Sequence, residues 1–235
     1  MSDPEHNQID MADSLCLIKM DWLTFLSKRI LPHGYWGAPG ANAVDKERHL
    51  HLTFDDGPIP ETTPALLDLL DEEQVKATFF ILGKRAQRYP ELVAEIARRG
   101  HSLGNHSFNH LFMPTMSTKK IEHEIAATNQ SIKDATGSEP VLFRPPFGLI
   151  DHRAAAYLKE RKMKIVYWGA VSEDWQGIGE KRVISRTMER LGHGASIVLH
   201  EGRSIAKQTL SATREIIKRS KSKGFRFEDI RPHHH

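Results

Sequence analysis

The sequence predicts an α/β fold, with a mostly parallel sheet of about seven strands in a single domain. Three observations predict it. Short β-like runs alternate with amphipathic helical patterns along most of the chain. The 235 residues are enough to bury one full core and do not call for two. Clusters of polar residues follow the strand-like runs, at the ends where parallel sheets place working groups. Seven such strands either close into a barrel or stay open, and periodicity does not choose between them.

The elements follow in order. Residues 32–48 carry Pro32, Gly34, Gly37, Pro39 and Gly40 and read as a loop into the main domain. Strands are expected at His49–Phe54, Ala77–Leu82, His101–Gly104, Val141–Arg144, Lys164–Trp168, Ser196–His200 and Phe225–Phe227. Helices are expected near Thr63–Glu73, Pro90–Arg99, Ser117–Thr136, His152–Arg161, Lys181–Arg190 and Thr209–Ser222. Pro90 suits a first helical position, Ser117 opens a long amphipathic run, and Gly100, Gly137 and Gly224 stand where helices should stop. The domains are then an N-terminal extension over 1–48 (helix plus Gly/Pro loop), a main domain over 49–230, and a tail over 231–235. The tail ends in three histidines and is set aside as tag-like.

Composition narrows the function classes. The net charge is only +3. The basic stretch Arg214–Arg226 lies in a helical pattern with Ile216 and Ile217, so it reads as a solvated helix face, and no nucleic-acid partner is expected. Cys16 is the only cysteine, which excludes an intrachain disulfide and a thiolate metal cage. No run reaches the ~18 apolar residues of a membrane span. Residues 14–31 place Leu15, Ile18, Trp22 and Leu26 at helical spacing, interrupted by charges and preceded by an acidic start. That is a packed helix with a minority reading as a peripheral membrane contact, not a signal peptide. The chain as it stands reads as cytoplasmic unless an export signal has been removed; compartment and oligomeric state are left open.

Five polar features carry chemistry. In Thr53-Phe54-Asp55-Asp56-Gly57-Pro58, a strand ends abruptly in two carboxylates that a turn can bring into one site. His106-Ser107-Phe108-Asn109-His110 spaces two imidazoles four apart, which on one face of a helical turn can grip one metal. Joined by an Asp from elsewhere, the pair leaves coordination positions open for water. In Arg144-Pro145-Pro146-Phe147-Gly148 the prolines lack N–H groups, so Phe147 offers the first free backbone donor, suited to an oxyanion hole. Glu173-Asp174-Trp175 follows a strand, and Ile197-Val198-Leu199-His200-Glu201-Gly202 carries an apolar strand that ends in histidine. Each alone has a bland explanation as turn, core or surface. Five together, each at a strand end, do not.

This ordered set resembles the polysaccharide deacetylase family, also called the NodB-homology or carbohydrate esterase family 4 domain, over roughly residues 49–230, including Ala77-Thr78-Phe79-Phe80. The resemblance implies an irregular (β/α)-barrel and a metal-dependent hydrolase that removes N-acetyl or O-acetyl groups from a carbohydrate. It implies Asp56, His106 and His110 as metal ligands, usually for zinc, with cobalt, manganese, nickel or iron as other divalent candidates. Asp55 would be the general base, with Arg144 paired to it. His200 would be the general acid, raised in pKa by Asp174. Trp175 and Val198 would line the pocket for the acetyl methyl, and the ion with the Phe147 N–H would stabilise the oxyanion.

Two positions depart from the family pattern. Val171 stands where an Asp usually precedes the Asp-Trp pair, so looser support around Arg144 or Asp174 is expected. Val198 stands where Leu usually precedes the histidine, so a slightly wider methyl pocket is expected. Other classes fit these residues less well. A non-haem iron oxygenase also uses two His and one carboxylate, but gives Arg144 and the Asp174/His200 pair no role. A binding protein that has lost catalysis would lack a ligand or the base, and none is missing. Within hydrolases, a lipid-linked amino sugar or a small cyclic amide is the alternative substrate.

Overall fold

Eight short strands, all running parallel, form one curled sheet in the computed structural model, which describes residues 48–231. The expected extension, apart from Arg48, lies outside the described residues, including the helix read at 14–31, and so does the tail beyond 231. In chain order the elements are β1 (Arg48–Asp55), α1 (Thr63–Glu72), β2 (Thr78–Ile81), α2 (Gly83–Arg88), α3 (Pro90–Arg98), β3 (Ser102–Asn105), α4 (Thr118–Thr136), β4 (Leu142–Phe143), α5 (His152–Glu160), β5 (Lys164–Ile165), β6 (Ala170–Val171), α6 (Glu180–Glu189), β7 (Ala195–His200), α7 (Ala206–Ser222) and β8 (Phe225–Phe227). Strand order is β5-β4-β3-β2-β1-β7-β6, with β8 paired to the start of β1.

The strands show why the sheet curls around an interior. On β1, Leu50, Leu52 and Phe54 are fully buried in the layer beneath the helices, joined by Leu66, Leu67 and Leu70 of α1 and Ile216 and Ile217 of α7. The alternate residues Thr53 and Asp55 face the other way, into the barrel. β7 repeats the pattern: Ile197 and Leu199 join the outer core, while Ser196 meets the guanidinium that fills the barrel. Helix ends fall where the sequence marks them. Ser117 accepts from Lys120 N at 3.4 Å, and Gly137 closes α4 with φ 79°. The basic stretch in α7 is laced to acids, with Arg214 on Glu72 and Arg219 on Glu215. No helix among the described residues is long and apolar enough to cross a membrane.

Two elements differ from expectation. The strand expected over 164–168 is shortened to β5, and a further strand, β6, forms just beyond it, which brings the count to eight. The carbonyls of Val166 and Tyr167 turn inward to accept from Arg144, each at 3.4 Å, so they leave the ladder. Val166 N still reaches Phe143 O on one side, and Gly169 N reaches Ser196 O on the other. This one segment therefore spans between the two edges of the sheet. The short helix α2 was not expected, because six residues with Ala86 as their one buried aliphatic side chain show no periodicity.

Candidate active site

The groups singled out in the sequence gather at the C-terminal ends of the strands. Their hub is Arg144, which follows β4 and is 0% exposed. Nη1 donates to Asp55 Oδ1 at 2.6 Å and Thr53 Oγ1 at 2.7 Å, and Nη2 to Ser196 Oγ at 3.0 Å. With Val166 O and Tyr167 O, these make five acceptors for the five N–H bonds of a guanidinium. Its plane also lies over the Phe80 ring, 4.0 Å from the centroid. Burial lowers the Arg144 pKa, and the Asp55 charge opposes that.

The looser support expected from Val171 is not found. All five Arg144 donors are taken without an acid at 171, whose backbone carbonyl instead accepts from Arg190 at 3.0 Å. Asp174 is likewise held, with Ser172 Oγ 3.1 Å from Oδ1 and His200 N donating to Oδ2 at 2.7 Å.

Asp56, His106 and His110 each turn one ligand atom toward a common point, all within 4.8 Å of one another. Asp56 Oδ1 lies 3.7 Å from His106 Nε2 and 3.7 Å from His110 Nε2. Two ligands each ~2.1 Å from one ion are at most ~4.2 Å apart, so these separations suit a shared cation. A second observation supports the fit: Asp56 Oδ1 is buried and has no hydrogen-bond partner among the described residues. His106 Nδ1 sits 2.7 Å from Arg144 O, a carbonyl that can only accept. Nδ1 is therefore the donor in this bond, and Nε2 is the ring nitrogen left to face the ligand set. Burial would raise the Asp56 carboxyl, but His110, His106, His200 and Arg85 outweigh it and hold it at about 2. Burial pushes the His110 imidazole down to about 4, against the pull of Asp56, which also leaves it neutral and able to ligate.

The expected helical turn over 106–110 is absent. The two imidazoles converge through an irregular loop in which Ser107 and His110 take left-handed φ values of 66° and 57°. Asp56 is also left-handed, at 72°. Such conformations in residues other than glycine cost about 1–3 kcal/mol each and persist where surroundings impose them. Arg85 supplies part of that imposition by donating Nη1–H to Asp56 O.

Across the site stands His200, last residue of β7. Its Nδ1 lies 2.8 Å from Asp174 Oδ1, which leaves Nε2 toward the site. Burial would lower its pKa, but the Asp174 charge and hydrogen bond, with Asp55 and Asp56, raise it to about 9. Trp175 packs edge-on against His200 with centroids 4.9 Å apart. Val198, buried two residues earlier, is on the same face of β7 as Ser196 and His200. Phe147, 40% exposed with φ 56°, sets its ring 4.7 Å from His110. No described residue accepts from its N–H.

The sequence reading missed several supporting residues. Thr53 and Ser196 on Arg144, Ser172 on Asp174 and Glu201 beneath Gly57 are ordinary strand and turn residues in one dimension. Glu124 is the exception, because it interrupts the apolar stripe Ile121–Ile125–Ile132 of α4 and is nonetheless buried. A carboxylate on a buried stripe was a legible signal.

Fold and site together define a metal-assisted hydrolase built at the mouth of a parallel barrel, and the chain belongs to the polysaccharide deacetylase family. The family model matches residues 42–166. The chain is 35% identical over 209 residues to a peptidoglycan-N-acetylglucosamine deacetylase of Bacillus cereus, covering 87% of this chain and 95% of that protein. It is 34% identical to the peptidoglycan-N-acetylmuramic acid deacetylase PdaC of Bacillus subtilis, covering 84% of this chain and 41% of that one, so it spans less than half of that longer relative. Among solved structures, a peptidoglycan N-acetylglucosamine deacetylase superposes with a TM-score of 0.76 at 32% identity, covering 79% of this chain and 87% of that one. These named relatives are deacetylases of carbohydrates, and the chain is an enzyme of that metal-dependent class.

Proposed function

We propose that this chain deacetylates N-acetylated amino sugars of a peptidoglycan-type glycan, with zinc as the working ion and residues 49–230 as the catalytic domain. The observation that carries it is the juxtaposition of an unpartnered, buried Asp56 Oδ1 between two imidazoles with an Arg-held carboxylate and an Asp-held histidine.

Asp56, His106 and His110 would hold the cation, which when bound polarises the amide carbonyl and brings the pKa of water toward ~7. Asp55 takes the proton from the attacking water. Arg144 keeps that carboxylate aimed, since Oδ1 is fixed and Oδ2 lies toward the ligand set, 3.9 Å from His106 Nε2. Phe147 N–H donates to the oxyanion, a contribution of ~3 kcal/mol for a typical single donor. His200 Nε2 gives its proton to the departing amine, which leaves poorly without it. Trp175 and Val198 wall the space for the methyl group.

The test is acetate release from N-acetylglucosamine oligomers and from isolated glycan strands, with metal stripped and then restored as zinc or cobalt, beside Asp55→Ala. Metal-dependent release that vanishes in the variant is the expected result. Stoichiometric metal binding with no release from either glycan would overturn the substrate assignment and direct the search to lipid-linked amino sugars and small cyclic amides.

A further inference from the structure

The loop between His106 and His110 has no regular structure of its own, yet it must deliver two imidazoles to one point. Two helices hold it. From α2, Gly83 N–H donates to Ser107 O at 3.0 Å and Lys84 N–H to Phe108 O at 3.1 Å. A Cβ at Gly83 would collide with the Phe108 ring and Thr128, so only glycine lets that ring seat against the helix start. From α4 comes Glu124, 1% exposed. Its Oε2 accepts from Phe108 N at 3.0 Å and Asn109 N at 2.7 Å, and its Oε1 from Asn109 Nδ2 at 2.7 Å. Three N–H groups of the two residues just before His110 thus converge on one side chain.

We propose that Glu124 is a positioning residue for the metal centre, fixing where His110 sits and hence the affinity and coordination geometry of the bound ion. The inference rests on the reading of Asp56, His106 and His110 as ligands. His106 is secured independently, at the end of β3 and by its bond to Arg144 O. His110 has no such anchor on its ring among the described polar contacts; its place follows from its backbone, in the left-handed region with N–H on Ser107 Oγ at 3.1 Å. Without the carboxylate, the Phe108 and Asn109 N–H groups lose their acceptor. The loop then relaxes, and His110 Nε2 leaves its position 3.7 Å from Asp56 Oδ1. Two of the three ligands remain, so affinity falls rather than vanishes.

The experiment measures the zinc dissociation constant by chelator competition, the visible absorption of the cobalt-loaded protein, and thermal unfolding of the metal-free protein. Glu124→Ala is expected to weaken zinc binding ~10–100-fold, the usual effect of removing a partner behind a ligand, and to shift the cobalt bands. Glu124→Gln should restore most of the affinity, because its amide oxygen still accepts from both backbone N–H groups. Ile132→Ala, on the same helix away from the loop, should lower stability and leave the zinc constant unchanged. If Glu124→Ala does not fold, Glu124→Asp decides: the charge stays, the carboxylate withdraws by one methylene, and zinc binding should weaken about tenfold. An unchanged zinc constant in the folded Ala or Asp variant overturns the inference alone. A wild-type protein that binds no zinc overturns the ligand reading and this inference with it.

Discussion

Asp55 and His200 are direct register partners at the ends of the adjacent parallel strands β1 and β7. The ladder alone brings the proposed base and acid side by side, and each is then drawn to a different third group. Asp55 is tied to Arg144 and His200 to Asp174. The two neighbours thus meet partners of opposite charge, a cation for Asp55 and an anion for His200.

Replacing Asp55 tests the proposed base and the Arg144 ion pair together. Asp55→Asn should cut kcat at least ~10²-fold, the lower end for loss of a general base, while bound zinc stays stoichiometric. Asp55→Ala should lose activity equally and fall further in Tm, because both variants strip the buried Arg144 of its counter-charge, at a cost of about 3–5 kcal/mol, and alanine removes the accepting oxygen as well. Acetate assays, metal analysis and thermal melts on both variants check this.

The basic limb of the pH profile should belong to His200. Its pKa stands near 9, so the protonated acid is present below that pH and activity falls as pH rises through it. Asp174→Asn removes the leading cause of the raised value. The limb should move to lower pH, with kcat reduced even at its new optimum. A limb unmoved in kcat/KM for Asp174→Asn would exclude His200 as the titrating acid.

Stability of the metal-free protein should decline as pH rises across neutrality. Burial pushes the Glu201 carboxyl up to about 8, and Oε1 has no hydrogen-bond partner among the described residues while Oε2 accepts from Thr63. A raised folded pKa contributes stability that is present below the ordinary 4.5 and lost as pH rises through about 8. His200 acts in the same direction between 6.5 and about 9. Glu201→Gln should therefore flatten the fall in Tm between about pH 5 and 8 in the metal-free protein, leaving the later His200 decline.

Gly57 has no room for a side chain, since a Cβ there would land inside the Glu201 carboxyl. Gly57→Ala should lower Tm and disturb the neighbouring Asp55–Asp56 turn. The double variant with Glu201→Ala should recover part of the loss, a coupling measurable as a double-mutant cycle.

Restoring the family's acid at 171 should do little. Arg144 has no donor left to offer, so Val171→Asp should keep kcat/KM within about threefold of the parent, the size of a change that touches no reacting group. A gain of about tenfold or more would mean that an acid at 171 does work that Thr53 and Ser196 do not.

Much of the site was legible because it depends on local order along the chain. Strand alternation, the Pro90, Ser117 and Gly137 signals, and the five polar features at strand ends are written in neighbouring residues. The helical turn over 106–110 was misread, because spacing alone cannot reveal that distant Glu124 and Gly83 hold that segment in left-handed turns. The early end of the strand expected over 164–168 was hidden likewise, since the Val166 and Tyr167 carbonyls turn to a guanidinium from residue 144.

By itself, then, the sequence determined the parallel α/β architecture and which side chains could carry chemistry, because period and motif order are properties of the linear chain. Only the tertiary structure decided which nitrogen of His106 is available, why Arg144 needs no acid at 171, and what steadies His110. Those are matters of direction and burial at ångström scale. They arise when residues far apart in the chain are packed against one another and each buried donor must find an acceptor.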